Sequence, residues 1–181
     1  MNTFKVPTRD EVSPANQAIF DNLKQKLGKV PNSYAFMASS ENGLTNYLAI
    51  ANAKSSLNIK EKEVINLIVS GINGCHYCTS AHTAIAKLNG FTDEQVLEIR
   101  KGGVSFDAKL DVLAQFTKEV TSNKGSVSEV TMDKFFAAGY TNESLVDVLL
   151  IISERTFSNY LNAIVNVPID FPVAPQIEVC D

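Results

Sequence analysis

The sequence has no apolar run as long as the ~18 residues a membrane-spanning helix needs, and no run of Lys and Arg. The first absence argues against a transmembrane protein. The second, with a net charge of -4, argues against an electrostatic grip on nucleic acid. Lys60, Lys62, Lys87, Arg100 and Lys101 are interleaved with acids, as on a solvated helix surface. Met1 to Pro7 contain no signal-peptide core, so the expected location is cytoplasmic. Cysteine and histidine are scarce, at three and two residues. In a reducing compartment so few thiols suggest catalysis, redox sensing or metal binding rather than a structural disulfide.

These scarce residues are concentrated. Cys75-His76-Tyr77-Cys78-Thr79-Ser80-Ala81-His82 holds two of the three cysteines and both histidines. Sulfur and imidazole are the side chains best suited to redox or metal chemistry near neutral pH, so this stretch is the default site. Cys180, one residue from the end, reads as an incidental exposed thiol.

The remainder of the 181 residues, 45% hydrophobic, reads as a single all-α domain with nothing strand-like. Its parts are an N-terminal arm and helix (1–40), a first helical unit with the Cys pair (41–104), a second unit (105–167) and an irregular tail (168–181). The arm should be extended over residues 1–13. Ser13-Pro14 offers an N-cap and a first-turn proline for a helix to about Lys26, with Ile19, Phe20, Leu23 and Leu27 inward. A short helical piece is expected over Ser33–Met37, and a helix over Glu41–Ser55. Asn58 and Glu61 form a capping box for a buried central helix reaching about Asn73. A corner at Gly74 folds the Cys-bearing helix back on it as an antiparallel hairpin, ending at Gly90. Further helices are expected after Thr92 and at about 107–122, 129–138 and 142–164.

The second unit resembles the first at an offset of 49: Gly90-Phe91-Thr92 matches Gly139-Tyr140-Thr141, and Asn58 falls on Asp107. At that offset Glu63, Cys75, Cys78 and His82 fall on Val112, Lys124, Val127 and Thr131, so the scaffold does not need them twice.

Within one helix, Cys75, Cys78 and His82 share a face, and the two cysteines are close enough for a reversible disulfide. The helix start alone favours Cys75 as the more acidic thiol. Folding the hairpin about Gly74 brings Glu63 close to His82 and gives a proton relay Glu63–His82–Cys78, direct or through a water. Rival readings are a zinc site from Cys75, Cys78 and His82 with Glu63 or His76, a buried Cys pair without chemistry, a core histidine at His82, and a plain first-turn acid at Glu63. His76 should face solvent and Tyr77 should pack. Tyr47, Asn159 and Tyr160 are candidates for a pocket lining.

Glu63, eleven residues, Cys75-x-x-Cys78, three residues and His82 resemble the signature of the alkylhydroperoxidase D family, within the carboxymuconolactone decarboxylase-like superfamily. The likeness covers roughly residues 40–165. Tyr77, immediately before the second cysteine, resembles the peroxidase-related branch. The resemblance implies a helical bundle of two similar units and a thiol peroxidase of peroxiredoxin type, or a disulfide reductase. It also implies a trimer or hexamer, a hydroperoxide substrate and a thiol or lipoyl-type protein reductant, with no cofactor. Under it Cys78 is the peroxidatic cysteine, Cys75 resolves it, and Glu63 and His82 relay protons. The competing class is a non-enzymatic helical module with a zinc site or a redox-switch Cys pair.

Overall fold

Most helices begin where a polar side chain holds the free first-turn amides. In the computed structural model, which describes residues 4–175 and 177, these are α1 (Pro14–Leu27), α2 (Asn32–Met37), α3 (Gly43–Ala51), α4 (Ile59–Ile72), α5 (His76–Leu88), α6 (Asp93–Arg100), α7 (Ala108–Ser122), α8 (Glu129–Ala137) and α9 (Asn142–Val165). Ser13, Asn58, Cys75, Thr92, Asp107, Ser128 and Thr141 each accept a backbone N–H from the helix that follows. Among the described residues there is no strand, and no single helix is long and apolar enough to cross a membrane.

The central element is α4, which packs against α5, α7 and α9. Ile65 and Val69 join Leu113, Phe116, Phe135 and Val148 in one cluster. Val64, Leu67 and Ile68 join Val96 and Ile99 in another. Burying each such side chain contributes about 1.5–3 kcal/mol. At the helix start, Asn58 Oδ1 accepts from Lys60 and Glu61, while Glu61 Oε2 accepts from the Asn58 amide at 2.8 Å. The Tyr140 hydroxyl from the second unit donates to the same carboxylate at 3.1 Å.

Caps recur between the units at the offset of 49: Asn58 with Asp107 and Thr92 with Thr141, while Gly90 and Gly139 both have left-handed backbone. The match does not run throughout, because α8 begins about one turn late. Lys124 and Val127 therefore lie in the loop before α8, and aligning them with Cys75 and Cys78 sets a loop against a helix start.

Three local expectations need correction. The helix expected over Glu41–Ser55 is only Gly43–Ala51, because Asp147 of α9 binds the Ser55 hydroxyl and the Ser56 amide and hydroxyl, holding that segment out of helix. Leu27 ends α1 exposed instead of packing inward. The arm is not wholly extended, since Arg9–Glu11 form a 3-10 turn that Glu11 caps through Thr8.

Beyond α9 the chain is irregular but anchored. The Tyr77 hydroxyl donates to Asp170 at 2.7 Å, the Ala174 amide to Ser80 Oγ at 3.0 Å, and Arg100 to the Pro175 carbonyl at 2.6 Å. Residues 167–175 thus form a strap across the start of α5. Cys180 lies outside the described residues.

Candidate active site

Gly74 makes the corner between α4 and α5. Its φ of 64° lies in the left-handed region that glycine adopts freely, and the Cys75 amide bonds back to the Ser70 carbonyl at 3.0 Å. Cys75 is consequently the N-cap of α5 rather than a residue within it, and its Sγ accepts the Cys78 N–H at 3.2 Å. The two sulfurs, 3% and 1% exposed, lie 2.7 Å apart as free thiols. A disulfide bond is about 2.05 Å long, so closing one takes little movement.

The Cys78 sulfur has further partners on α9, with Asn162 Nδ2 at 3.2 Å and Ser158 Oγ at 3.5 Å. The hydrogen bond from Cys75 does most to lower the Cys78 pKa to about 5, helped by the Arg155 charge, Ser158 and Asn162 against the opposing effect of burial. The same sulfur contact, with burial and the negative charge on Cys78, pushes Cys75 up. Acidity thus falls on Cys78 rather than on Cys75, the thiol nearer the helix start. What favours the Cys78 thiolate is the set of side-chain donors around it and the buried Arg155 cation.

The hairpin sets Glu63 against His82, Oε2 to Nδ1 at 2.8 Å, with both residues buried. Burial raises the Glu63 pKa, but His82, Arg155 and Asn66 together hold it below the ordinary carboxylate value. Asn66 Nδ2 donates to Glu63 at 3.2 Å, and its carbonyl oxygen accepts from Arg155 Nε at 3.1 Å. Arg155 in turn donates to both Glu154 oxygens at 3.1 Å. Tyr34 and Tyr47 lie within reach of these charges, their hydroxyls pushed up by burial.

Glu63, His82, Cys75 and Cys78 are therefore gathered around the α4–α5 hairpin. The relay's first link, Glu63 to His82, is a direct hydrogen bond, while among the described residues no direct hydrogen bond joins His82 to Cys78. His82 Nε2 makes no hydrogen bond there and is left for a substrate or water. No three His, Cys, Asp or Glu side chains converge among the described residues as a metal site requires.

The other singled-out residues divide. His76 is half-buried and lines a cavity that opens to solvent. Tyr77 packs against Phe171 besides anchoring the strap. Asn159 is fully buried, bonded to Asn73 and Ser70, whereas Tyr160 is exposed. Glu154, Arg155, Ser158 and Asn162 were not anticipated. A signal for them does exist: Glu154, Ser158 and Asn162 follow one another at four-residue spacing along α9.

Residues 40–118 match the model of the carboxymuconolactone decarboxylase family. A stretch of 41 residues is 49% identical to the alkyl hydroperoxide reductase AhpD of Mycobacteroides abscessus, covering 23% of this chain and 23% of that protein, so under a quarter of the relative's length is matched. The crystal structure of an uncharacterized peroxidase-related protein with an alkylhydroperoxidase AhpD core, from Ralstonia eutropha, superposes with a TM-score of 0.84 at 19% identity, over 93% of this chain and 92% of that one. A debrominase crystallised with tribromopyrrole superposes with a TM-score of 0.76 at 19% identity, over 94% and 92%. At such identities the structural matches establish a shared all-helical fold.

Proposed function

From the match of residues 40–118 to the carboxymuconolactone decarboxylase family model, we propose that this chain is a thiol-dependent, peroxidase-like oxidoreductase working through a dithiol/disulfide cycle. The reading is supported chiefly by one observation: an acidified Cys78 sulfur in contact with a second thiol, beside a buried His82–Glu63 pair.

In the proposed cycle the Cys78 thiolate attacks the terminal oxygen of a hydroperoxide. The O–O bond breaks, an S–O bond forms, and Cys78 becomes a sulfenic acid as the peroxide is reduced. The departing alkoxide takes a proton from His82 Nε2, with Glu63 at Nδ1 orienting the ring and stabilising its positive charge. Cys75 then attacks the sulfenic sulfur, hydroxide leaves with the Cys75 proton as water, and a disulfide forms. A thiol or lipoyl-type dithiol returns two electrons and two protons.

Turnover of an organic hydroperoxide with a dithiol donor tests this. Cys78→Ser abolishes it, and Cys75→Ser leaves a sulfenic acid that dimedone labels. Unchanged turnover in both variants contradicts the roles. The burial of both sulfurs under the strap favours one rival, a non-catalytic redox switch, which would oxidise once without multiple turnovers.

The functional unit is proposed to be a trimer or hexamer. The support is an apolar stripe left exposed along α9, formed by Val146, Leu150, Phe157, Tyr160 and Ile164. Light scattering gives the mass directly, and Phe157→Asp should dissociate the assembly.

A further inference from the structure

On the side of the hairpin bordered by α6 and α7 lies an open cavity of about 820 Å³, within the range of small-molecule sites. Its lining is unlike the rest of this acidic chain. Arg100, Lys101 and Lys118 line it with His76, and among the described residues no Asp or Glu does. None of these three permanent cations makes a salt bridge among the described residues. Among the described residues, Arg100 Nε is also buried without a hydrogen-bond partner, and no neighbouring acid offsets the burial that lowers its pKa.

The carboxyl ends of α4 and α6 border this space, and a helix end favours a cation nearby. That accounts for Arg100 or Lys101, which close α6. Lys118 comes from within α7 and brings a third cation to the same end of α6: a Cβ added to Gly102 would lie 3.6 Å from Lys118 Nζ. Glycines at positions 71, 74 and 102 keep the walls low, Ser70 and Thr79 contribute hydroxyls, and Ile68, Ile72 and Ile99 supply apolar surface.

We infer that this cavity is a binding site for a small amphipathic anion, with a carboxylate or phosphate held by Arg100, Lys101 and Lys118 and an apolar body laid against the isoleucines. The inference concerns binding alone and does not rest on the peroxidase reading.

The test is titration of the reduced full chain, by calorimetry and amide NMR, with octanoate, octyl phosphate and uncharged octanol. Saturable binding of octanoate or octyl phosphate, with amide shifts centred on Gly74 and Gly102, supports the site, and the tighter of the two identifies the anion. Octanol should bind at least about tenfold more weakly, as should either anion to Lys118→Gln or Arg100→Gln. Lys118 is exposed, so its variant reports on binding even if Arg100→Gln, which loses the Pro175 contact, folds poorly. Equal affinity for octanol, unchanged affinity in Lys118→Gln, or no saturable binding of either anion would overturn it. Hydroperoxide turnover is measured separately, so failure here leaves the thiol chemistry standing, and the converse also holds.

Discussion

Cys75 acts on Cys78 in two ways at once: it accepts the Cys78 backbone N–H at 3.2 Å and stands 2.7 Å from the Cys78 sulfur. The residue that starts the helix is thereby also the partner that acidifies the next thiol along it. One extended backbone conformation, at the Cys75 cap, produces both contacts.

With Cys78 ionising at about 5, its alkylation rate by iodoacetamide should rise with pH through a midpoint near that value, far below that of a free thiol. Losing one hydrogen bond to a charged group costs about 1.5–3 kcal/mol, or about one to two pKa units, so Ser158→Ala and Asn162→Ala should each move the midpoint up. The linked stability follows in sign. Between about 5 and the ordinary thiol value of 9.0 the unfolded chain holds a Cys78 proton that the fold does not. Stability from this sulfur is therefore complete above pH 9 and lost as pH falls through 5. Cys75, shifted upward, acts oppositely above pH 9. Urea unfolding of the reduced protein should show the rise, and Cys78→Ala should remove it.

Glu63→Gln keeps a hydrogen-bonding group beside His82 but removes the charge that stabilises a protonated ring. Hydroperoxide turnover should fall about a hundredfold or more. The Cys78 alkylation midpoint should barely move, because Glu63 does not touch that sulfur. A large shift in the midpoint with turnover retained would contradict the assignment.

Arg155, only 7% exposed, holds Glu154 and Asn66 together. Arg155→Met strands the Glu154 carboxylate in the interior, which should cost about 3–5 kcal/mol in urea unfolding. Adding Glu154→Leu should recover much of that loss. The Cys78 midpoint should stay raised in both variants, since the cation is absent from each.

Much of this arrangement is legible in the sequence because it is local. Ser13, Asn58, Thr92, Asp107 and Thr141 announce helix starts through side chains that reach only two or three residues onward. Glu63 and His82 meet because one corner at Gly74 fixes the hairpin. The contribution of α9 is hidden for a physical reason. Val146, Leu150, Phe157, Tyr160 and Ile164 are exposed, while Glu154, Arg155, Ser158, Asn159 and Asn162 are buried. Between Glu154 and Asn162 the helix turns its polar side inward, and hydrophobic periodicity assigns that stretch the opposite orientation. Ser158 and Asn162 also lie 80 and 84 residues from Cys78, beyond the reach of any local pattern.

Tyr77→Phe removes the hydroxyl that donates to Asp170 and accepts from the Ser33 amide. The stability loss should be about 0.5–1.5 kcal/mol per bond. Because residues 167–175 cross the buried thiols, loosening this anchor should speed Cys78 alkylation at a pH where the sulfur is fully ionised. An unchanged rate would mean that the strap does not control access.

The central claim is that Cys75 and Cys78 are oxidised together by a hydroperoxide. Its most direct test is thiol titration of the reduced Cys180→Ser chain before and after one equivalent of an organic hydroperoxide, followed by intact mass. The account predicts loss of both thiols, a mass lower by two hydrogens and return of both thiols on adding a dithiol. Retention of both thiols, or equal peroxide consumption by Cys78→Ser, would contradict it.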